Sequence, residues 1–327
     1  MIWPFINVPR SEGPYELFLD NNALITSRWF TELQGSIKNR TVLSLFHALS
    51  EQWLSNPSFK ENAAERIEKF ITPFINEGVL FENSYAVKWA RLLEINDKES
   101  KAQWMISYLY IVLLYRIVSS KNDNKIPKQL LVSLRLIDVP RFNGCIMLCT
   151  LADYLKENKE IKLVGDSKTA FSYISSFVAL HTNNKNESSM DEKYLRNRAG
   201  DLSIWLYLPM LIHNNYEKAG EPVVVTQDTV LKKLIFRCLP SVMTVDGRMA
   251  FSFDEGSFES NHSEQIKQRI LANTCIPNPP ADRKEQFEKL KRLKTHVIEG
   301  AEPTLIAEVH NVWDEWLAPG FFGKFSI

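Results

Sequence analysis

The chain has 327 residues, 45% hydrophobic and 24% charged, which is enough to bury a sizeable core as one large domain with an insertion or as two domains. Lys+Arg and Asp+Glu both number 39, so net charge gives no sign of a nucleic-acid binder, and any such binding needs a local basic surface. The sequence holds no GxSxG elbow, no P-loop and no dinucleotide fingerprint, which removes the footing for a hydrolase triad, an NTPase or a hydride-transfer enzyme.

Cys145 and Cys149 lie four apart in an apolar stretch, and Cys238 and Cys275 are remote from them. There is no CxxC pair and no zinc spacing, and His47, His181, His213, His262, His296 and His310 show none either. Buried free thiols in a reducing compartment are expected, hence a cytoplasmic protein. Met1 to Phe5 lacks a basic region followed by an apolar run, so no secretory signal is expected. The most apolar run, Trp104 to Val118, falls short of the roughly 20 residues that span a bilayer and contains Arg116. It reads as a buried core helix, with no membrane partner.

In chain order, Glu16 to Leu19 reads as a short buried strand ending at Asp20, followed by a turn and a helix start. Thr41 to Leu54 is apolar with helical spacing through Leu45, Ala48, Leu49 and Trp53, and further helices are expected over about 60 to 76, 84 to 93 and 100 to 119. Pro127 suits the first turn of the next helix, and residues 126 to 158 read as two helices broken near Pro140. Glu160 to Val164 is a candidate strand with Gly165-Asp166 as its turn, and a helix is expected from 168 to 180. His181 to Ser189 reads as a polar loop, and Ser189 with Glu192 as a capping box. A new apolar helix is expected to open at Asp201, after Gly200. Gly220 ends it, and Pro222 leads into the strand Val223 to Thr226. Asp228 precedes a short helix, and Val242 to Phe253 reads as a hairpin around Asp246-Gly247. A helix at 262 to 272, a Pro-rich break and two terminal helices complete the chain.

Two segments carry chemistry. LFLDNNALI (Leu17 to Ile25) is an apolar strand, an Asp, a small polar pair, then a helix. VVVTQDTVLKKL (Val223 to Leu234) is a strand, Thr, one residue, Asp, then a helix, and it follows the apolar helix expected at Asp201. In that order the segments resemble the first and last acidic motifs of PIN-like nucleases, over about 15 to 55 and 195 to 250. The resemblance implies an α/β fold: a small parallel sheet of PIN-like type with a large helical insertion and a helical C-terminal region. It divides the chain into a core (1–55 and 195–255), a helical insertion (56–194) and a C-terminal extension (256–327). It implies Asp20, Asp201 and Asp228 as ligands of Mg²⁺ or Mn²⁺, and an acid on an early helix, for which Glu51, Glu65 and Glu68 compete. Glu51 is the leading candidate. It also implies hydrolysis of RNA or single-stranded DNA to 5′-phosphate ends, as in a toxin or antiphage effector.

The chemistry supports this set independently. Phosphodiester cleavage needs a nucleophilic water and charge neutralisation at the leaving oxygen, which divalent ions bound by carboxylates supply. Acids just after parallel strands converge on the crevice beyond the carboxyl ends of the sheet. Each acid also has a structural role open to it as a helix cap. The distance in sequence between Asp20 and Asp201 exceeds that of compact PIN domains. A rival alignment uses Asp153 and Asp166, with Asp166 replacing Asp228.

Lys193, Arg196 and Arg198 before Asp201, and Lys232 and Lys233 after Asp228, are candidates for phosphate contacts. The amphipathic helix Arg283 to Val297 is expected to pack on the core. The aromatic residues Trp313, Trp316, Phe321, Phe322 and Phe325, with Leu317, either fold back or dock on a second copy or another protein. The competing function is a scaffold or interaction subunit whose PIN-like core has lost its metal.

Overall fold

The computed structural model describes residues 1–4, 12–33, 35–121, 125–179, 192–213, 216–243, 249–274 and 280–317. The apolar run before Asp20 is strand β1 (Tyr15–Leu19), in which Leu17, Phe18 and Leu19 are fully buried. A strand apolar on both faces belongs inside a sheet. Accordingly β1 lies between β2 (Thr41–Ser44) and β3 (Glu221–Val225), parallel to both. Leu17 pairs with Leu43 on one side and Val223 on the other. Beyond β3, Ile2 forms an antiparallel bridge to Val224 through two hydrogen bonds of 2.8 Å. Gly220 enters β3 where the backbone of β1 is very close, and a Cβ there would lie 2.6 Å from the Pro14 carbonyl oxygen. That approach requires glycine.

Thr41 to Leu54 is not helical throughout. Its first four residues are β2, which hydrogen-bonds to β1 and has Val42 exposed. Thr41 and Val42 are β-branched and suit a short edge strand, so pairing overrides the helical spacing there. Between β1 and β2 run three short helices, α1 (Asn21–Ile25), α2 (Arg28–Thr31) and α3 (Gly35–Lys38). After β2 come α4 (Phe46–Ser55), α5 (Pro57–Glu61), α6 (Ala63–Asn76) and α7 (Tyr85–Ile95). They are followed by α8 (Asp97–Ser119), α9 (Ile126–Ser133), α10 (Asn143–Glu157) and α11 (Ala170–Val178).

Glu160 to Val164 forms no strand of the sheet; Lys162 only bridges to Thr169 around the turn at Gly165, whose φ is +74°. Helix α12 runs from Glu192 to His213, so Asp201 lies inside it and does not open it. Tyr194 to Ala199 are ordinary helix formers, and the buried Gly200 is tolerated within the helix. Ser189 and the loop from His181 lie outside the described residues.

A π-helical turn (Leu231–Ile235) and α13 (Phe236–Cys238) follow β3. Strands β4 (Ser241–Met243) and β5 (Met249–Phe251) pair antiparallel, as the Asp246-Gly247 hairpin predicts, although the turn itself lies outside the described residues. The chain then forms α14 (Ser260–Asn273), α15 (Arg283–Ile298) and α16 (Pro303–Trp316).

The elements fall into two compact units. The first (1–100, 200–232 and 240–252) contains both sheets with α1 to α7 and most of α12. The second (101–199, 233–239 and 253–327) is helical and groups α8 to α11 with the C-terminal helices. Helix α8 is long and apolar enough to cross a membrane by composition, yet 78% of its most apolar window is buried. Cys145, Cys149 and Cys238 are buried free thiols, and Cys275 lies outside the described residues. Trp316 packs against Trp104 and Tyr108, and Trp313 against Phe287, all within the second unit. Phe321, Phe322 and Phe325 lie outside the described residues.

Candidate active site at the carboxyl edge of the sheet

Strand order in the parallel sheet is β2-β1-β3. The chain leaves β1 toward one neighbour and returns on the other side, so the order reverses between β1 and β3. In open α/β sheets that reversal opens a crevice at the carboxyl ends of the strands. Asp20 follows the last residue of β1, and its N–H extends the ladder by donating to Val225 O at 3.1 Å. Thr226 follows the last residue of β3, and Asp228 comes two residues later. The two acidic motifs therefore share one edge.

The Asp20 carboxylate is 5% exposed and held from several sides. Oδ1 accepts from the Ala23 N–H at 2.6 Å, which makes Asp20 the cap of α1. Oδ2 accepts from the Thr226 hydroxyl, and the Gln227 N–H also donates to the carboxylate. Thr226 Oγ1 in turn accepts from the Asp228 N–H at 2.9 Å. Asp228 Oδ1 accepts from the N–H groups of Val230 (2.7 Å) and Leu231 (2.8 Å), capping the turn that follows β3.

Burial raises the Asp20 carboxyl above the ordinary aspartate range, and the nearby charge of Asp228 pushes it in the same direction. The hydrogen bonds from Thr226, Ala23 and Gln227 offset part of that rise. The three donors take up most of the Asp20 carboxylate, since an ionised carboxylate has about four lone-pair sites.

Of the early-helix acids, Glu51 is the one joined to this edge. It lies on α4, is 6% exposed, and accepts from Asn21 Nδ2 at 3.2 Å, so its partner is the residue next to Asp20 in the chain. Glu65 is exposed on α6 and pairs with Lys69 at 2.6 Å, and Glu68 is exposed on the same helix. Asp201 is half-buried within α12. Among the described residues, no three His, Cys, Asp or Glu side chains already stand close enough to form a metal-binding group.

The rival acids lie in the second unit. Asp153 stands between Lys128 (3.6 Å) and Arg269 (3.5 Å). Asp166 accepts from the Tyr173 hydroxyl at 2.9 Å, which holds its carboxyl below the ordinary range, and faces Lys233 at 3.5 Å. The segment before Asp166 lacks the sheet strand that the rival motif needs.

The basic candidates separate. Arg196 pairs with Glu315 at 2.5 Å and approaches Glu308, while Arg198 lies over the rings of Tyr194 and Phe177. Lys232 is exposed just beyond Asp228, and Lys233 faces Asp166 in the second unit.

Sequence reasoning gave no role to Asn21, Gln52 or His47. Gln52 Nε2 donates to Asn21 Oδ1 at 2.7 Å. His47 is buried against Phe18 and Phe46, and burial lowers its imidazole to about 3. The signal for the first two was present as an amide next to Asp20 and another next to Glu51.

Comparison with protein-family models, with curated proteins and with solved structures finds no match.

Proposed function

We propose that this chain is a metal-dependent phosphodiesterase of PIN-like type that hydrolyses RNA or single-stranded DNA. The observation that carries the reading is that Asp20 and Asp228 follow adjacent parallel strands at the carboxyl edge of the sheet, where strand order reverses, and are linked through Thr226. Beyond its role as a cap, Asp20 feels the charge of Asp228, which adds to the larger effect of burial in raising its pKa. Asp20 is buried and also feels the charge of Asp228, and such an acid suits a hard divalent cation, because oxygen ligands are what Mg²⁺ and Mn²⁺ take.

Asp20 and Asp228 would hold the ion, with Asp201 and Glu51 as the further acids of the set. When bound, Mg²⁺ or Mn²⁺ supplies a lowered pKa for water and neutralises charge on the leaving oxygen. The protein's own contribution is placement. The Thr226 hydroxyl fixes the Asp20 carboxylate while its oxygen anchors the Asp228 backbone, so one side chain ties the two acids together. Lys232 is the basic candidate best placed by the chain to meet a phosphate beside Asp228. A cytoplasmic location, and a role as a toxin or antiphage effector, accompany this reading.

The test is Mn²⁺-dependent degradation of end-labelled RNA and single-stranded DNA by wild type, Asp20→Ala and Asp228→Ala. Cleavage that leaves 5′-phosphate ends and is lost in both variants is expected. Cleavage unaffected by both substitutions contradicts the assignment. No cleavage of any substrate by wild type favours the scaffold reading.

A further inference from the structure

Next to Asp20 begins a chain of side-chain amides on α1, α4 and the residue that caps α4. Asn56 Nδ2 donates to Gln52 Oε1 (3.2 Å), Gln52 Nε2 to Asn21 Oδ1 (2.7 Å), and Asn21 Nδ2 to Glu51 Oε1 (3.2 Å). Asn21 presents its NH₂ to Glu51 and its oxygen to Gln52, which presents its own oxygen to Asn56. Hydrogen bonds aligned in one direction polarise one another, and here they point positive hydrogens at a buried carboxylate. Glu51 and Gln52 are 6% and 7% exposed, so water competes little at these two members of the chain.

We infer that Asn21 is a positioning residue. Through its amide, oriented by Gln52, it fixes the Glu51 carboxylate as part of the metal-binding acid set. The inference rests on the nuclease reading above and deepens it, because it gives the second residue of the Asp20-Asn21 pair a task separate from helix initiation. A residue that orients a ligand and is itself hydrogen-bonded behind it typically contributes 10–100-fold to metal affinity or activity. A residue that only starts a helix contributes to folding and acts independently of Glu51.

The test is a double-substitution cycle read by two assays, Mn²⁺ titration calorimetry and Mn²⁺-dependent cleavage, on wild type, Asn21→Ala, Glu51→Gln and the double variant. Asn21→Ala is expected to weaken Mn²⁺ binding and slow cleavage by about tenfold or more. The double variant is expected to be no worse than Glu51→Gln, because once the carboxylate is gone Asn21 has nothing to orient. Gln52→Leu, which leaves both Asn21 and Glu51 in place, should give a smaller loss of the same kind and serves if Asn21→Ala folds poorly. Additive losses, or unchanged Mn²⁺ affinity and cleavage in both Asn21→Ala and Gln52→Leu, overturn the positioning role while the nuclease reading stands. Absence of both Mn²⁺ binding and cleavage in wild type overturns the nuclease reading, and this inference with it.

Discussion

Thr226 illustrates how much one hydroxyl can carry. It donates to Asp20 and accepts from the Asp228 N–H, so Thr226→Val should separate the two acids without emptying any apolar space. Cleavage is expected to fall by about 10–100-fold, while Thr226→Ser keeps most of it; steady-state rates on a labelled oligonucleotide check this. Asp20 itself makes a pH-dependent prediction. Its folded pKa is raised, chiefly by burial, so the fold binds this proton more tightly than the unfolded chain does. Its favourable contribution is present below the ordinary aspartate range and is lost as pH rises through the raised value. Without metal, Asp20→Asn should therefore melt above wild type at pH 7, with the gap closing on acidification. Added Mn²⁺ should raise the wild-type midpoint but not that of the variant. His47 acts in the opposite sense. Its pKa is lowered to about 3, so its contribution is present above about pH 6.5 and is lost as pH falls toward 3, at up to about 1.4 kcal/mol per pH unit. His47→Phe should flatten the acid limb of the stability curve measured by urea unfolding.

At the level of elements, β1 and β3 were legible because a parallel strand buried on both faces is a continuous apolar run, and Leu17 to Leu19 and Val223 to Val225 are such runs. β2 was not. Thr41 to Ser44 is short, lies at an edge and runs directly into a helix whose spacing absorbs it, so only its pairing with β1 marks it as a strand. The start of α12 was misplaced for a different reason: Gly200-Asp201 looks like a helix opening locally, whereas the helix begins upstream at Glu192. The first and last acids were readable because each follows an apolar strand, and Glu51 was readable only as one of three, since its link to Asn21 depends on how α4 meets α1. Gly220 gives the test at this scale. A methyl group there meets the backbone of Pro14 and Tyr15, so Gly220→Ala should force β3 away from β1 and destabilise the protein by about 1–3 kcal/mol, measured by denaturant unfolding.

Across the whole molecule, net charge is zero, so nucleic-acid binding has to come from a few local cations. Arg196 is engaged with Glu315 and Glu308 inside the second unit, whereas Lys232 is exposed four residues after Asp228. Lys232→Ala is therefore expected to weaken binding of a single-stranded oligonucleotide and to reduce the log–log salt slope by about 0.7, the value of one lost phosphate contact. Arg196→Ala should lower stability and leave that slope unchanged. These expectations, like the proposed activity, depend on two carboxylates 208 residues apart in the chain acting together at one edge of a three-stranded sheet. Anomalous scattering at the manganese edge from crystals soaked in Mn²⁺ tests that dependence directly. The account predicts a peak at the Asp20 and Asp228 carboxylates that vanishes in Asp20→Asn; a peak only elsewhere, or none at millimolar Mn²⁺, would contradict it.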